Sequence, residues 1–325
     1  MSDPVIIVCA ADVRFAMPLA VTLRSAAANC SRRVQAYVLN DDLPLDAKRD
    51  IERVCMRQPR PPTISWLDAE REYLRDLPVG MSHLSRATYL RLAIGRLLSA
   101  DVNRILYLDS DVLVLGDVAD LWDTPLENNV IGAVRDFGTQ RSGQQDALGY
   151  CIEACGMDGS RPLFNAGVLL MDLEAYREQR IEEQCIDFLR RWQANIRSAD
   201  QDALNAVLHD RWKALHFRWN TQVGPLAVFS RAGSLSPQEE ASLADLHPAI
   251  LHFSGSCKPW NSGLRSAPCR QYVRSVRESG WYGAAGFRLW QAKRMAVCVH
   301  SAAVNRFAAM RFNRVHNPGV QAAGA

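Results

Sequence analysis

The chain has 325 residues, 48% of them hydrophobic and 22% charged, with a net charge of +3. That balance allows a large packed core and excludes a low-complexity or fibrous chain; no run nears 18 apolar residues, so no membrane-spanning helix is expected. The charge is uneven. After Phe253 eleven Lys and Arg face one acid, Glu278, a net +10 that leaves −7 on the first 253 residues. In chain order, a strand is expected over Val5–Ala10, then a helix near Leu19–Ala28 with Pro18 in its first turn. Strand Val34–Leu39, helix Leu45–Met56 and strand Thr63–Leu67 follow. Ser85–Leu98 reads as one helix, and Ile105–Leu108 as a strand running into Asp109-Ser110-Asp111. Later strands are expected at Ile131–Val134, Gly167–Met171 and Ile250–Phe253, with helices at Glu182–Trp192 and Gln201–Leu208. Around Trp281–Gly286 the pattern loosens, which places a boundary between a body, 1–280, and a C-terminal appendage, 281–325. The alternation predicts an α/β fold with a largely parallel sheet covered by helices.

In such sheets ligands bind beyond the carboxyl ends of the strands, where both Ala10-Ala11-Asp12 and Asp109-Ser110-Asp111 fall. Along a strand Asp109 and Asp111 would point to the same side, and two anionic oxygens there suit Mg²⁺ or Mn²⁺ on a phosphate-bearing substrate. The plainer alternative is a pair of acids closing a buried strand. Three further clusters carry chemistry. Phe164-Asn165-Ala166-Gly167-Val168 puts an amide among small residues that let a ligand approach the backbone. Asp200-Gln201-Asp202 opens a helix, where one carboxylate can cap amides while the other acid or the amide faces outward. His252 to Trp260 offers an imidazole, Gly255 and Lys258, the last able to meet phosphate. Nine scattered cysteines without a Cys-x-x-Cys pair, and an N-terminus without a signal-peptide pattern, point to free thiols in a reducing cytoplasm.

These strings, with Thr88-Tyr89-Leu90-Arg91-Leu92 and Leu121-Trp122-Asp123, occur in one order over about Val5 to Gly263. The ordered set resembles the family 8 retaining glycosyltransferases, and most of all their bacterial lipopolysaccharide and lipooligosaccharide α-galactosyl- and α-glucosyltransferases. The resemblance implies a GT-A type nucleotide-sugar-binding fold that moves galactose or glucose from a UDP-hexose to a glycan or glycolipid acceptor. It implies Asp109, Asp111 and His252 as ligands of Mn²⁺ (or Mg²⁺), with Lys258 neutralising the departing UDP. Ala10 and Asp12 match the uracil-binding strand end, and Phe15 an aromatic that stacks on the base. Arg91, Asn165, Asp200 and Gln201 match donor-sugar residues, with Asp200 and Gln201 the catalytic candidates; Ser110 and Gly255 fall within the matching donor-site strings. His83 matches a position on the acceptor side.

Val13 and Arg14 depart from the polar pair usual in the bacterial branch, so ribose or diphosphate contacts are expected to differ, and Arg14 is a candidate to reach phosphate. Retention by double displacement and by same-face substitution both remain open; the poor nucleophilicity of the Gln201 amide favours the second, with the UDP phosphate deprotonating the acceptor. The appendage carries six Lys/Arg, no acid, and Trp281, Tyr282, Phe287, Trp290, Phe307 and Phe312. Basic charge mixed with aromatics suits an anionic membrane surface, and no nucleic-acid module accompanies it. A cytoplasmic enzyme held peripherally at the inner membrane is therefore expected. The other readings are a haloacid-dehalogenase-type phosphohydrolase using Asp109 and Asp111, and a non-catalytic nucleotide-sugar-binding protein.

Overall fold

The first strand, β1 (Val5–Asp12), is a β-branched run buried on both faces, the mark of a central strand in a parallel sheet. A computed structural model describes residues 3–68, 77, 86–137, 162–209, 211–224, 247–255, 258–262 and 266–296. His83, Cys151, Cys155, most of 137–158 and 297–325 lie outside these residues. The chain divides into two compact units, Met1–Ser256 and Cys257–Ala325.

In the first unit α1 (Ala16–Asn29), β2 (Val34–Asp41), α2 (Leu45–Cys55) and β3 (Thr63–Asp68) follow β1. Next come α3 (Ile94–Leu97), β4 (Arg104–Leu108), β5 (Val112–Val114), α4 (Val118–Trp122) and β6 (Ile131–Arg135). Then follow β7 (Phe164–Asp172), α5 (Leu173–Glu178), α6 (Ile181–Arg191), α7 (Asp200–Leu208), β8 (Trp212–Ala214), β9 (Thr221–Gln222) and β10 (Ile250–His252). The main sheet has the order β3-β2-β1-β4-β7-β6-β8, and only β7 runs against the others. The order reverses between β1 and β4, the crevice where open α/β sheets bind ligands. Side chains from both halves, among them Val8, Tyr107, Ile131, Leu169, Ile186 and Leu204, share one buried core.

A second sheet, β5-β10-β9, was not expected from the sequence: its middle strand β10 was, but the two or three residues of β5 and β9 carry no period. Its β5 edge is closed by a helix. Thr22, Ser25 and Asn29 share one face of α1; the Thr22 hydroxyl lies 3.1 Å from the Ser110 carbonyl oxygen and 2.8 Å from that of Val112. Ser25 Oγ accepts from Val114 N–H at 3.1 Å, and Asn29 Nδ2 donates to the Val114 carbonyl at 3.1 Å. Thr22→Val keeps the shape but strips the donor from two buried carbonyls. It is expected to lower stability by about 1–3 kcal/mol in urea unfolding; a loss under about 0.5 kcal/mol would contradict the role.

Two expectations need correction. Asp109-Ser110-Asp111 is not strand: β4 ends at Leu108 and the three residues form the turn into β5, so strand alternation does not fix where they point; Gly167, Thr22 and Phe253 hold the three backbones in turn. Ser85–Leu98 is not one α-helix either. Arg86–Ala93 is 3-10, followed by the single turn α3. Side chains at i and i+3 eclipse in a 3-10 helix, which stacks Thr88 over Arg91.

In the second unit α8 (Ala267–Ser279) is capped by Ser266 at its start and by Gly280 at its end, where φ of 67° favours glycine. A further helix covers 284–296. Tyr282 stacks on Trp290 at 5.6 Å, and Arg294 lies over the Trp290 ring at 5.1 Å while its Nε donates to the Pro259 carbonyl. No helix among the described residues is long and apolar enough to cross a membrane.

Candidate active site

Asp109 sits where β4 meets the bulged start of β7. Its N–H donates to the Gly167 carbonyl at 2.8 Å. Between β6 and β7 the register slips, so that one step from Ala133 to Val134 matches four from Leu169 to Asn165. The slip turns the Ala166 and Gly167 backbone towards the site, a recurrent use of a bulge. Asp109 Oδ1 accepts from Arg91 Nη2 at 2.8 Å and from the Tyr107 hydroxyl at 3.1 Å. Its Oδ2 lies 3.7 Å from His252 Nε2, which is also 3.3 Å from Asp111 Oδ1. The second sheet delivers that imidazole: His252 pairs in register with Val112, and the N–H of Phe253 donates to the Asp111 carbonyl at 3.1 Å.

The donor set fits a divalent cation. One atom from each of Asp109, Asp111 and His252 lies within 4.8 Å of the others. Neighbouring ligands of a six-coordinate ion stand about 3 Å apart at bonds of about 2.1 Å, so a small closure suffices. Two carboxylate oxygens with one imidazole suit Mn²⁺ or Mg²⁺ better than a thiophilic metal. Gly167 makes room for the cluster: a Cβ there would stand 2.3 Å from His252 Cε1 and 2.8 Å from Asp109 Oδ2.

Arg91 binds the cluster to the opening of α7. Besides Asp109 it pairs through Nε with Asp200 Oδ2 at 2.6 Å, donates to the Ala166 carbonyl, and lies over the Tyr107 ring at 4.6 Å. Burial opposes its charge, but Asp109 and Asp200 outweigh burial and raise its pKa. Asp200 also accepts from the Thr88 hydroxyl. Burial pushes the Asp200 carboxyl up to about 6, against the pull of Arg91 and Thr88, and Asp109 adds to the rise. One buried guanidinium cannot neutralise two carboxylates.

The sign of the resulting pH dependence follows. The folded state holds the Asp200 proton more tightly than the unfolded chain at 3.8. Its contribution to the metal-free protein's stability is therefore complete below 3.8 and lost as pH rises through about 6. A rise of about two units corresponds to about 3 kcal/mol. In urea unfolding the stability of the parent relative to Asp200→Asn should fall by that amount as pH rises through this window, and stay constant outside it.

Neither acid caps the amides of α7, which has no side-chain cap; Asp202 instead holds the loop before it, accepting from Arg197 and Ser198 N–H at 2.8 and 2.9 Å, while Asp200 and Gln201 face the site. Ala199 is held at φ 52°, ψ −122°, strained backbone directly before Asp200. Gln201 Oε1 accepts from Ala166 N–H at 3.0 Å, and its Nε2 donates to Asp136 at 2.8 Å. Asn165 is buried beside it and reaches Asn220 at 2.8 Å.

Ser110 Oγ donates to the Ala10 carbonyl at 2.7 Å, which joins the ends of β1 and β4 and spends the hydroxyl on structure. Asp12 caps the turn after β1, accepting from Arg14 N–H at 2.9 Å; the Arg14 guanidinium folds back onto it at 2.7 Å instead of extending towards the cation cluster. Phe15 is half-buried beside that turn. Gly255, at φ 84°, adopts a backbone that favours glycine just beyond β10. Lys258 belongs to the second unit, where its N–H donates to Asn261 at 2.9 Å.

The structure thus brings Arg91, Asp109, Asp111, Asn165, Asp200, Gln201 and His252 into one cluster at the carboxyl ends of the strands. Asn220 and Asp136 join them, and the sequence carried no signal for either. The fold and this site define a GT-A type glycosyltransferase. The chain belongs to glycosyl transferase family 8, whose profile matches residues 6–263. General stress protein A of Bacillus subtilis (strain 168) is 30% identical over 85% of this chain and 94% of its own length. The lipopolysaccharide 1,3-galactosyltransferase of Salmonella typhimurium is 24% identical over 83% of this chain and 77% of its own. The crystal structure of the galactosyltransferase LgtC in complex with donor and acceptor sugar analogs superposes with a TM-score of 0.75 at 25% identity, covering 89% of this chain and 99% of that one. Family membership leaves the phosphohydrolase reading without support.

Proposed function

We propose that the protein transfers galactose or glucose, with retention, from a UDP-sugar to a lipopolysaccharide- or lipooligosaccharide-type glycan. One observation carries the reading: two acids and an imidazole converge at the strand ends beside a buried Arg91–Asp200 pair and the Asn165 and Gln201 amides. The names of the Salmonella relative and of the solved galactosyltransferase support the hexose and the acceptor class.

Asp109, Asp111 and His252 would hold the cation. A divalent cation there supplies Lewis-acid neutralisation of the charge that builds on the departing diphosphate. Ala10, Asp12 and Phe15 would receive the uridine, Ser110 and Gly255 would shape the loops around it, and the family resemblance makes Lys258 the further positive charge for the departing UDP. Arg91 and Asn165 orient the hexose. Asp200 is ion-paired with Arg91 and accepts from Thr88, and the Gln201 amide is held at both ends, which lowers the nucleophilicity of both. This favours same-face substitution: the bond from the anomeric carbon to the UDP oxygen breaks, the acceptor oxygen bonds to that carbon, and the acceptor proton passes to the leaving phosphate. A covalent glycosyl group on Asp200 would overturn that preference.

The body, 1–280, is proposed as catalytic, and 281–325 as a segment that docks on an anionic inner-membrane surface from the cytoplasm. Six basic residues bound the attraction near about 6 kcal/mol before screening. Of these, Arg306, Arg311 and Arg314 lie outside the described residues. Deletion of 281–325 should abolish sedimentation with anionic liposomes; unchanged binding would contradict docking.

The decisive assay is UDP release from a panel of UDP-sugars with Mn²⁺, with and without truncated lipooligosaccharide. Acceptor-stimulated release from UDP-galactose or UDP-glucose is expected. Tight UDP binding without release from any sugar would identify a non-catalytic binding protein instead.

A further inference from the structure

Two backbone amides fix the polarity of a buried hydrogen-bond chain behind the cation cluster. Ala166 N–H donates to Gln201 Oε1, and Gly167 N–H to Asn165 Oδ1, each at 3.0 Å. A backbone N–H can only donate, so both of those side-chain atoms are oxygens. Asn220 lies 2.8 Å from Asn165 Oδ1 and must present its NH₂ there, which leaves its own oxygen 2.9 Å from His252 Nδ1. An amide oxygen only accepts. A hydrogen of His252 therefore sits on Nδ1, and Nε2 is the nitrogen turned to Asp109 and Asp111, free to offer its lone pair to a cation.

We propose that Asn220 is a positioning residue that sets the tautomer and orientation of His252 and couples the cation site to Asn165 on the donor-sugar side. The inference rests on the reading of Asp109, Asp111 and His252 as cation ligands. Asn220 suits the role because it is fully buried and offers one donor and one acceptor on opposite sides of a short planar group. Strand pairing places it: β9, which begins one residue later, runs parallel to β10 with Gln222 opposite His252. A carboxylate at 220 would still accept from Nδ1–H but would face the Asn165 oxygen with a second acceptor. An apolar side chain would serve neither neighbour.

The test is Mn²⁺ binding to the full chain without donor, read from the electron paramagnetic resonance of the free ion, for the parent, Asn220→Leu and Asn220→Asp. Loss of such an outer partner weakens metal binding about 10–100-fold, and that range is expected for Asn220→Leu. Asn220→Asp should stay within about threefold of the parent for Mn²⁺, yet lose about tenfold in its preference for UDP-sugar over UDP, since only Asn165 is misdirected. The ¹⁵N spectrum of the metal-free parent, with His252 assigned by His252→Phe, should show the Nδ1–H form. Parental Mn²⁺ affinity in folded Asn220→Leu, or an Nε2–H tautomer in the parent, overturns the inference while the cation reading stands. If Asn220→Leu does not fold, Asn220→Asp decides: unchanged preference for UDP-sugar sinks the coupling. A parent that binds no Mn²⁺ sinks the cation reading, and the inference with it.

Discussion

Asp111→Asn is expected to lower the turnover of UDP-sugar by at least about 10³-fold while the protein still folds. The substitution changes one oxygen to NH₂ and removes one charge. It does so at a buried carboxylate 3.3 Å from His252 Nε2, where the NH₂ cannot ligate a metal and the remaining amide oxygen is a neutral, weaker ligand. Removing a single preorganised group that stabilises transition-state charge lowers rates by about 10²–10³-fold, and a lost cation ligand should do no less. The measurement is UDP release against Mn²⁺ concentration, with urea unfolding as the control for folding. A turnover within tenfold of the parent would contradict a cation at this place.

Gly167→Ala should be nearly as severe, for a different reason. The new methyl would stand within 2.8 Å of three atoms, two on His252 and one on Asp109. His252 cannot easily yield, because Asn220 holds its far nitrogen at 2.9 Å and Phe253 ties the following residue to Asp111. Overpacking of this kind costs about 1–3 kcal/mol. Relief by displacement moves two of the three ligands, so Mn²⁺ affinity should fall at least about tenfold and activity with it. Calorimetric titration with Mn²⁺ checks this, and a folded variant with parental affinity would show that the site tolerates a larger residue.

Much of the fold could be read from the chain because its first half is repetitive in the physical sense. Val5–Asp12, Val34–Asp41 and Thr63–Asp68 are apolar runs between helical stretches, and they form three adjacent parallel strands. The structure also places Asp109, Asp111 and His252 together, as their residue types and their order in the family pattern had implied. What was not legible is long-range or short-period. Strands β5, β8 and β9 have three residues or fewer, too few to show alternation. The 3-10 run at 86–93 has the composition of an α-helix; its tighter winding brings Thr88 and Arg91 to the same partner, Asp200. Asn220 lies in Arg218-Trp219-Asn220-Thr221-Gln222, which matches no chemical motif, and its importance comes from Asn165 and His252, 55 and 32 residues away. The polar stripe of α1 was visible as Thr22, Ser25 and Asn29, but nothing local says that a strand edge waits beside it.

The most direct measurement is anomalous diffraction at the manganese edge from crystals grown with Mn²⁺ and UDP. A single strong peak is predicted within about 2.5 Å of Asp109, Asp111 and His252 Nε2, with the diphosphate oxygens completing its shell. A peak bound elsewhere, or UDP seated in the crevice with no ion between it and the two aspartates, would contradict the account.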